Sequence, residues 1–300
     1  MNVVELKSVT KDYGNGKGIF DIDLCIEQGE MFGYAGTNGA GKTTTLRTVM
    51  GFIRPDKGEV KVNGIDPWGN PDKIMKDIGY IPGEIAFPDL RSGDDIIKSQ
   101  AEFLGVKDLS KANELIKRLQ LDVRGDPRRF SKGMKQKLSI VLALMHDPGI
   151  LLLDEPTTGL DPLMRDSFME IIKEEHDKGK TIIISSNMFE ELEEYCDRVG
   201  LIVNGKILDI ADVNGIRNYE YRLYKVEFEN EDSYRRFLAD TDHEIIRKQE
   251  AFHQLTFRVK VSEVNDMINE LSKYELKYIR EIKYDLNSYF EETLGLYEMN

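Results

Sequence analysis

Three hundred residues, 32% charged and 40% apolar, have the length to bury a core in one large domain or two modest ones and the composition of a soluble globular chain. The net charge of −13, from 41 basic and 54 acidic residues with no basic stripe among them, argues against nucleic acid as a partner. No apolar run approaches the roughly 20 residues that cross a bilayer, and the start, MNVVELKSVTKDY, lacks the basic-then-apolar signature of a secretion signal.

In chain order, VVELKSV, LCIE and MFGYA read as strands from their β-branched and apolar content, and KTTTLRTVM then has helical periodicity. EVKVNG and IGYI return to strand character. GDDIIKSQAEFLG, KANELIKRLQ and MKQKLSIVLALM are helical, so about 92–145 is expected to form a helical lobe inserted into a sheet domain. ILLLD and TIIISS are wholly apolar and suit strands buried on both faces of a sheet. LMRDSFMEIIKEEHDKG lies between them as a helix, FEELEEYC follows as another, and GLIVNGKIL reads as a further strand. This alternation predicts an α/β fold with helices packed on a largely parallel sheet.

Beyond Asp212 the character changes. VNGIRNYEY is expected to be a linker. YKVEFEN, SYRRFLAD, HEIIRKQ, LTFRVKV, VNDMINELSKY and KYIREIKYD then follow as strand, helix, strand, strand, helix, strand, the split-βαβ pattern of a ferredoxin-like α+β domain. The expected division is therefore 1–215 and 216–300. The second part carries no catalytic constellation and is expected to be regulatory or to support a dimer. Cys25 and Cys196 are too few for a disulfide framework, which points to a reducing cytoplasm. His146, His176, His243 and His253 have no ligand spacing.

The chemistry begins at GTNGAGKTTT, which fits G-x-x-x-x-G-K-[ST] between a strand and a helix. Glycines there let backbone N–H groups converge on phosphate oxygens, and the helix start adds roughly half a positive charge. Gly36, Thr37, Asn38, Gly39, Ala40, Gly41 and Thr44 are the expected cradle. Lys42 should reach the β- and γ-phosphates of ATP, and the Thr43 hydroxyl should ligate Mg²⁺. In ILLLDEPTTGLDP, an apolar strand ends in Asp154, placed to bind Mg²⁺ through water. Glu155 follows as the candidate general base for an attacking water. In RRFSKGMKQKLSIVLAL, Ser131 is a natural N-cap and Gly133 permits close approach at a second helix start.

With SKGMKQ just upstream of LLLDEP, the chain resembles ATP-binding subunits of ABC transporters over about residues 1–215. SKGMKQ and DEPTTGLDP are similar to subunits that partner ABC-2-type permeases, mostly exporters. The resemblance implies a P-loop cassette with a mostly parallel sheet core, N-terminal antiparallel strands and an inserted helical lobe. It also implies that Tyr13 stacks on adenine and that Asp161 crosses a dimer interface. Core packing is the other reading of Tyr13. Two positions depart from the family. Gly83 and then Glu84 stand where a glutamine usually follows IGYIP, so Glu84 becomes a substitute Mg²⁺ contact. Asn187 stands where the switch histidine usually sits. With a neutral amide there and Glu155 retained, slow hydrolysis is expected.

The resemblance further implies that Ser131 and Gly133 of one copy grip the γ-phosphate held by another. Two subunits thus sandwich two ATP molecules, with a homodimer expected ahead of a heterodimer. The expected partner is a separate membrane permease, holding this chain on the inner face of the cell membrane. Rival readings are a soluble P-loop kinase, which the signature turn opposes, and a non-transport ABC protein of translation or DNA repair. The last would usually carry two cassettes or a long insertion. A nucleotide-gated regulator without useful turnover stays open because of Asn187 and Gly83.

Overall fold

The chain begins with two long strands, β1 (Asn2–Asp12) and β2 (Gly18–Glu27), paired antiparallel. A computed structural model describes residues 1–218 and 220–298 and divides the chain into two compact units, Met1–Asp212 and Val213–Asn300. The first unit continues with β3 (Met31–Ala35), α1 (Lys42–Val49), β4 (Lys57–Val62), α2 (Pro71–Met75), β5 (Ile78–Ile81), α3 (Gly93–Leu104), α4 (Ser110–Arg118) and α5 (Lys132–Leu144). It closes with β6 (Ile150–Asp154), α6 (Pro162–Asp177), β7 (Thr181–Ser186), α7 (Phe189–Tyr195), β8 (Arg198–Val203) and β9 (Lys206–Asp212).

Two sheets result. β2, β1 and β4 form an antiparallel sheet, and along β2 buried and open residues alternate as a half-covered strand requires. The larger sheet has the order β5-β6-β7-β3-β8-β9 and is parallel except for β9. Every residue of β3, β6 and β7 is buried, as expected of apolar runs covered on both faces. Register sets the site: Ala35 pairs with Ser186, and Asp154 with Ser185, so the carboxyl ends of β3, β6 and β7 lie side by side. Such neighbouring strand ends form the crevice where α/β sheets bind ligands.

GLIVNGKIL is not one strand. Asn204 (φ 48°) and Gly205 (φ 77°) both adopt the left-handed region and turn the chain into the β8–β9 hairpin. Two consecutive positive φ values are the requirement of a tight hairpin turn, and Asn-Gly meets it at little cost.

The stretch from Gly93 to Leu144 is the helical lobe, α3, α4 and α5. Ser92 caps α3 by accepting from the Asp95 N–H at 3.1 Å. An ion network joins the lobe to the amino ends of the central strands. Lys111 of α4 lies 2.6 Å from Asp147 and 3.1 Å from Glu175 of α6, while Lys180, just before β7, lies 2.5 Å from each. Lys178 adds a third contact to Glu175 at 2.8 Å.

The second unit comprises α8 (Val213–Arg217), β10 (Tyr221–Phe228), α9 (Glu231–Asp240), β11 (Glu244–Gln249), β12 (Gln254–Lys260), α10 (Val264–Leu271), β13 (Leu276–Ile282) and α11 (Leu286–Glu298). From β10 to β13 it has the βαββαβ order. The sheet order is β11-β12-β10-β13 with every pair antiparallel, the ferredoxin-like arrangement. Its core is Val226, Phe228, Phe237, Phe257 and Met267 among others. The expected linker 213–221 is instead helical in its first five residues, because Val213 and Ile216 fall on one face and are buried. Tyr219 of that stretch lies outside the described residues. Among the described residues no helix is long and apolar enough to cross a membrane.

The ion network makes stability pH-dependent. Burial pushes the Glu175 carboxyl up, but Lys178, Lys180 and Lys111 outweigh it and hold it at about 2; Lys111 and Lys180 hold Asp147 at about 2. Depressed carboxylates stabilise the fold above their unfolded pKa values and cease to do so as pH falls through the folded ones. Thermal melts followed by circular dichroism should therefore show this contribution intact at pH 7 and lost between about pH 4.5 and 2. Glu175→Gln should cost about 1–3 kcal/mol at pH 7 and reduce the acid sensitivity.

Candidate functional site

The loop between β3 and α1 needs glycine for reasons of space and of backbone angle. A Cβ on Gly36 would lie 2.5 Å from the Ile202 carbonyl oxygen, and Gly41 has φ 118° at the start of α1. Thr37, Asn38 and Gly39 form the exposed tip, and Ala40 is buried beneath them, its carbonyl accepting from the Gly205 N–H at 2.8 Å. Lys42 is 4% exposed. Its amine donates to the carbonyls of Gly36 (2.6 Å) and Thr37 (3.2 Å) and lies 3.3 Å from Glu155 Oε1. A buried amine held by two backbone carbonyls and a carboxylate keeps a full positive charge available to an anionic oxygen. Thr44 follows on α1, partly open.

Asp154 is 2% exposed at the end of β6 and is held from both sides. Thr43 Oγ1 donates to its Oδ2 at 2.7 Å, and Ser185 Oγ donates to its Oδ1 at 2.7 Å. The Glu155 N–H then donates to both the carbonyl and the hydroxyl of Ser185, each at 3.1 Å. Glu155 itself has φ 47°, a left-handed conformation that costs a non-glycine residue about 1–2 kcal/mol. Strain of that kind concentrates at functional sites. Lys42, Thr43, Asp154 and Glu155 are thus brought together by direct contacts.

The donor set suits the expected ligands. Backbone N–H groups free of Cβ obstruction and a buried amine fit phosphates. A hydroxyl beside a carboxylate offers hard oxygens to Mg²⁺. Among the described residues no group of three or more His, Cys, Asp or Glu could hold a metal. Mg²⁺ held by Thr43 and Asp154 would take its remaining ligands from phosphate and water.

The other expected residues stand apart from this cluster. Ser131 caps α5, accepting from the Met134 N–H at 3.2 Å, and nothing lies within 4 Å of a Cβ built on Gly133. α5 is tied to the loop after β6 by Gln136, 3% exposed, whose amide donates to the Pro156 carbonyl. Asp161 caps α6, accepting from the Met164 N–H at 3.0 Å. Tyr13 is 54% exposed rather than packed in the core, with the Lys11 amine 5.8 Å from its ring centroid. Asn187 is exposed in the turn after β7. Glu84 is exposed, and the hydrogen bonds of the Asp154 carboxylate go to Thr43 and Ser185. A Cβ on Gly83 would lie 3.4 Å from Asp154 Oδ2.

Two contributors escaped the sequence reading. Ser185 supports both Asp154 and Glu155, and its only sequence signal is a hydroxyl ending an apolar run. Gln136 signals itself only as a polar residue on the buried side of α5.

The family described as ABC transporter matches residues 19–158. The bacitracin transport ATP-binding protein BcrA of Bacillus licheniformis is 33% identical over 236 residues, 76% of this chain and 76% of that protein. A solved ATP-binding subunit of an ABC transporter superposes with a TM-score of 0.67 at 28% identity, covering 72% of this chain and 92% of that one. The ATP-binding cassette MJ0796, in a dimeric post-hydrolysis state bound to ADP and Pi, gives 0.63 at 25% identity, covering 70% and 98%. On the strength of this identity, the chain belongs to the ABC transporter family, as one of its ATP-binding proteins.

Proposed function

We propose that this chain hydrolyses ATP to power a separate membrane permease, through closure and release of a head-to-tail dimer. The observation that carries the proposal is the joining of Lys42, Thr43, Asp154 and Glu155 in one contact set at the sheet edge. Lys42 holds β- and γ-phosphate oxygens, and a phosphate that takes its amine releases Glu155 to accept a proton from water. When bound, Mg²⁺ would draw charge from the phosphates; Thr43 would ligate it, Asp154 would hold it through water, and Ser185 keeps Asp154 aimed. Tyr13, open beside the first hairpin, stacks on the adenine.

The open start of α5 supports the dimer. Among the described residues, Ser131 and Gly133 face no group of their own chain that uses them beyond capping, and in the dimer they grip the γ-phosphate bound by the opposite copy. Asp161 lies across that interface. The γ-phosphate holds the subunits together, and its cleavage lets them part, which moves the permease. A homodimer, an inner-face location through the permease and export complete the reading. The second unit regulates or supports the dimer. A nucleotide-gated regulator with little turnover is the second reading, favoured by Asn187 at the switch position.

Glu155→Gln should lower turnover by about 10²–10³-fold and trap an ATP-bound dimer on size-exclusion chromatography. A variant that stays monomeric with ATP at high protein concentration would sink the sandwich. If the amide at 187 handicaps the reaction, Asn187→His should raise the hydrolysis rate by about 10²-fold. Equal rates for the two proteins would mean that asparagine serves as well as histidine, and an absence of turnover in both, with the permease present, would favour the regulator.

A further inference from the structure

One buried carboxylate has no part in the chemistry above. Glu191 of α7 is 7% exposed. Its Oε2 accepts from Thr157 Oγ1 at 3.1 Å and from Ser186 Oγ at 3.3 Å. Among the described residues its Oε1 makes no hydrogen bond, and it lies 3.7 Å from Arg165 Nε on α6. Four segments therefore meet at one side chain: α7, the loop after β6, the end of β7 and α6.

The two hydroxyls are significant for where they sit. Thr157 is two residues beyond Glu155, in the loop that runs on to Asp161. Ser186 immediately precedes Asn187, and its hydroxyl also accepts from the Met188 N–H at 3.0 Å, closing the turn that presents Asn187. Packing alone does not call for an acid here, because Leu192, fully buried on the same helix, already anchors it. An ionisable group is costly to bury unless its partners need it. Burial holds the Glu191 carboxyl above its ordinary range, with Thr157, Arg165 and Ser186 offsetting only part of that rise.

We propose that Glu191 is a positioning residue, whose carboxylate fixes the Glu155–Asp161 loop against the Asn187 turn and so sets the base and the switch position at one spacing. This rests on the hydrolytic reading of Glu155 and Asn187. The carboxylate joins the two segments by accepting hydrogen bonds from the Thr157 and Ser186 hydroxyls at one oxygen. A displacement of either segment by about 1 Å is enough to slow a reaction that depends on geometry.

The test uses the full chain with Glu191→Ala, Glu191→Gln, Thr157→Val and the double variant Glu191→Ala/Thr157→Val. Glu191→Ala should lower kcat about tenfold while KM and the Kd for a fluorescent ATP analogue stay within about twofold. Glu191→Gln, whose carbonyl still accepts both hydroxyls, should recover most of the rate. The double variant should lose no more than Glu191→Ala alone, the mark of a shared interaction. In nucleotide-free protein, amide hydrogen exchange should quicken together at 157–161 and 186–188 in Glu191→Ala. That arm reads the coupling even if the wild type proves not to turn over, in which case the hydrolytic reading fails by itself. Additive losses, an equal defect in Glu191→Gln, or exchange quickened only within α7 would overturn the proposal.

Discussion

The hold on the Asp154 carboxylate is the constraint from which the site follows. Both oxygens are engaged by hydroxyls, one from α1 and one from β7, so the phosphate loop, the β6 end and the β7 end cannot shift independently. A carboxylate 2% exposed would be costly without such partners. With them it becomes a fixed point, and Glu155, the next residue, takes its left-handed backbone from the same Ser185 that braces Asp154.

The strands that carry this point are secured at both ends. At their carboxyl ends are Asp154 and Ser185; just before their amino ends are Asp147 and Lys180, in the ion network with Lys111 and Glu175. The network reaches the helical lobe through α4, and Gln136 reaches the loop after β6 from α5. The start of α5, tied to the sheet in this way, keeps a defined position relative to it. The proposed grip on a second copy's nucleotide would require that, because a mispositioned N–H donor contributes little to binding an anion.

Legibility in the sequence followed the range of the interaction. MFGYA was readable as a strand, and ILLLD and TIIISS as strands buried on both faces, since covering both faces leaves no alternation to confuse. The βαββαβ order of the second unit was readable from its short amphipathic runs. GLIVNGKIL was not, because apolar content on both sides of Asn204-Gly205 masks a turn whose evidence is backbone angle. α8 was hidden in a polar stretch whose two apolar residues are recognisable as one face only when buried. Gly36, Gly41, Lys42, Thr43, Asp154 and Glu155 announce themselves through local spacing. Ser185 acts on a partner 31 residues away, Gln136 on one 20 away and Glu191 on one 34 away, and no local pattern encodes those pairings.

By itself, the order of residues determined the α/β alternation, the phosphate loop, the acidic pair after the apolar strand and the resemblance to a transporter ATPase. Each of these is a property of neighbouring residues in one short segment. Only the tertiary structure decided that Ser185 braces Asp154, that Gly83 lies beside it, and that Glu191 gathers Thr157 and Ser186. Sheet register and strand order bring those groups together, and both are set by packing across the whole unit rather than by any one stretch of chain.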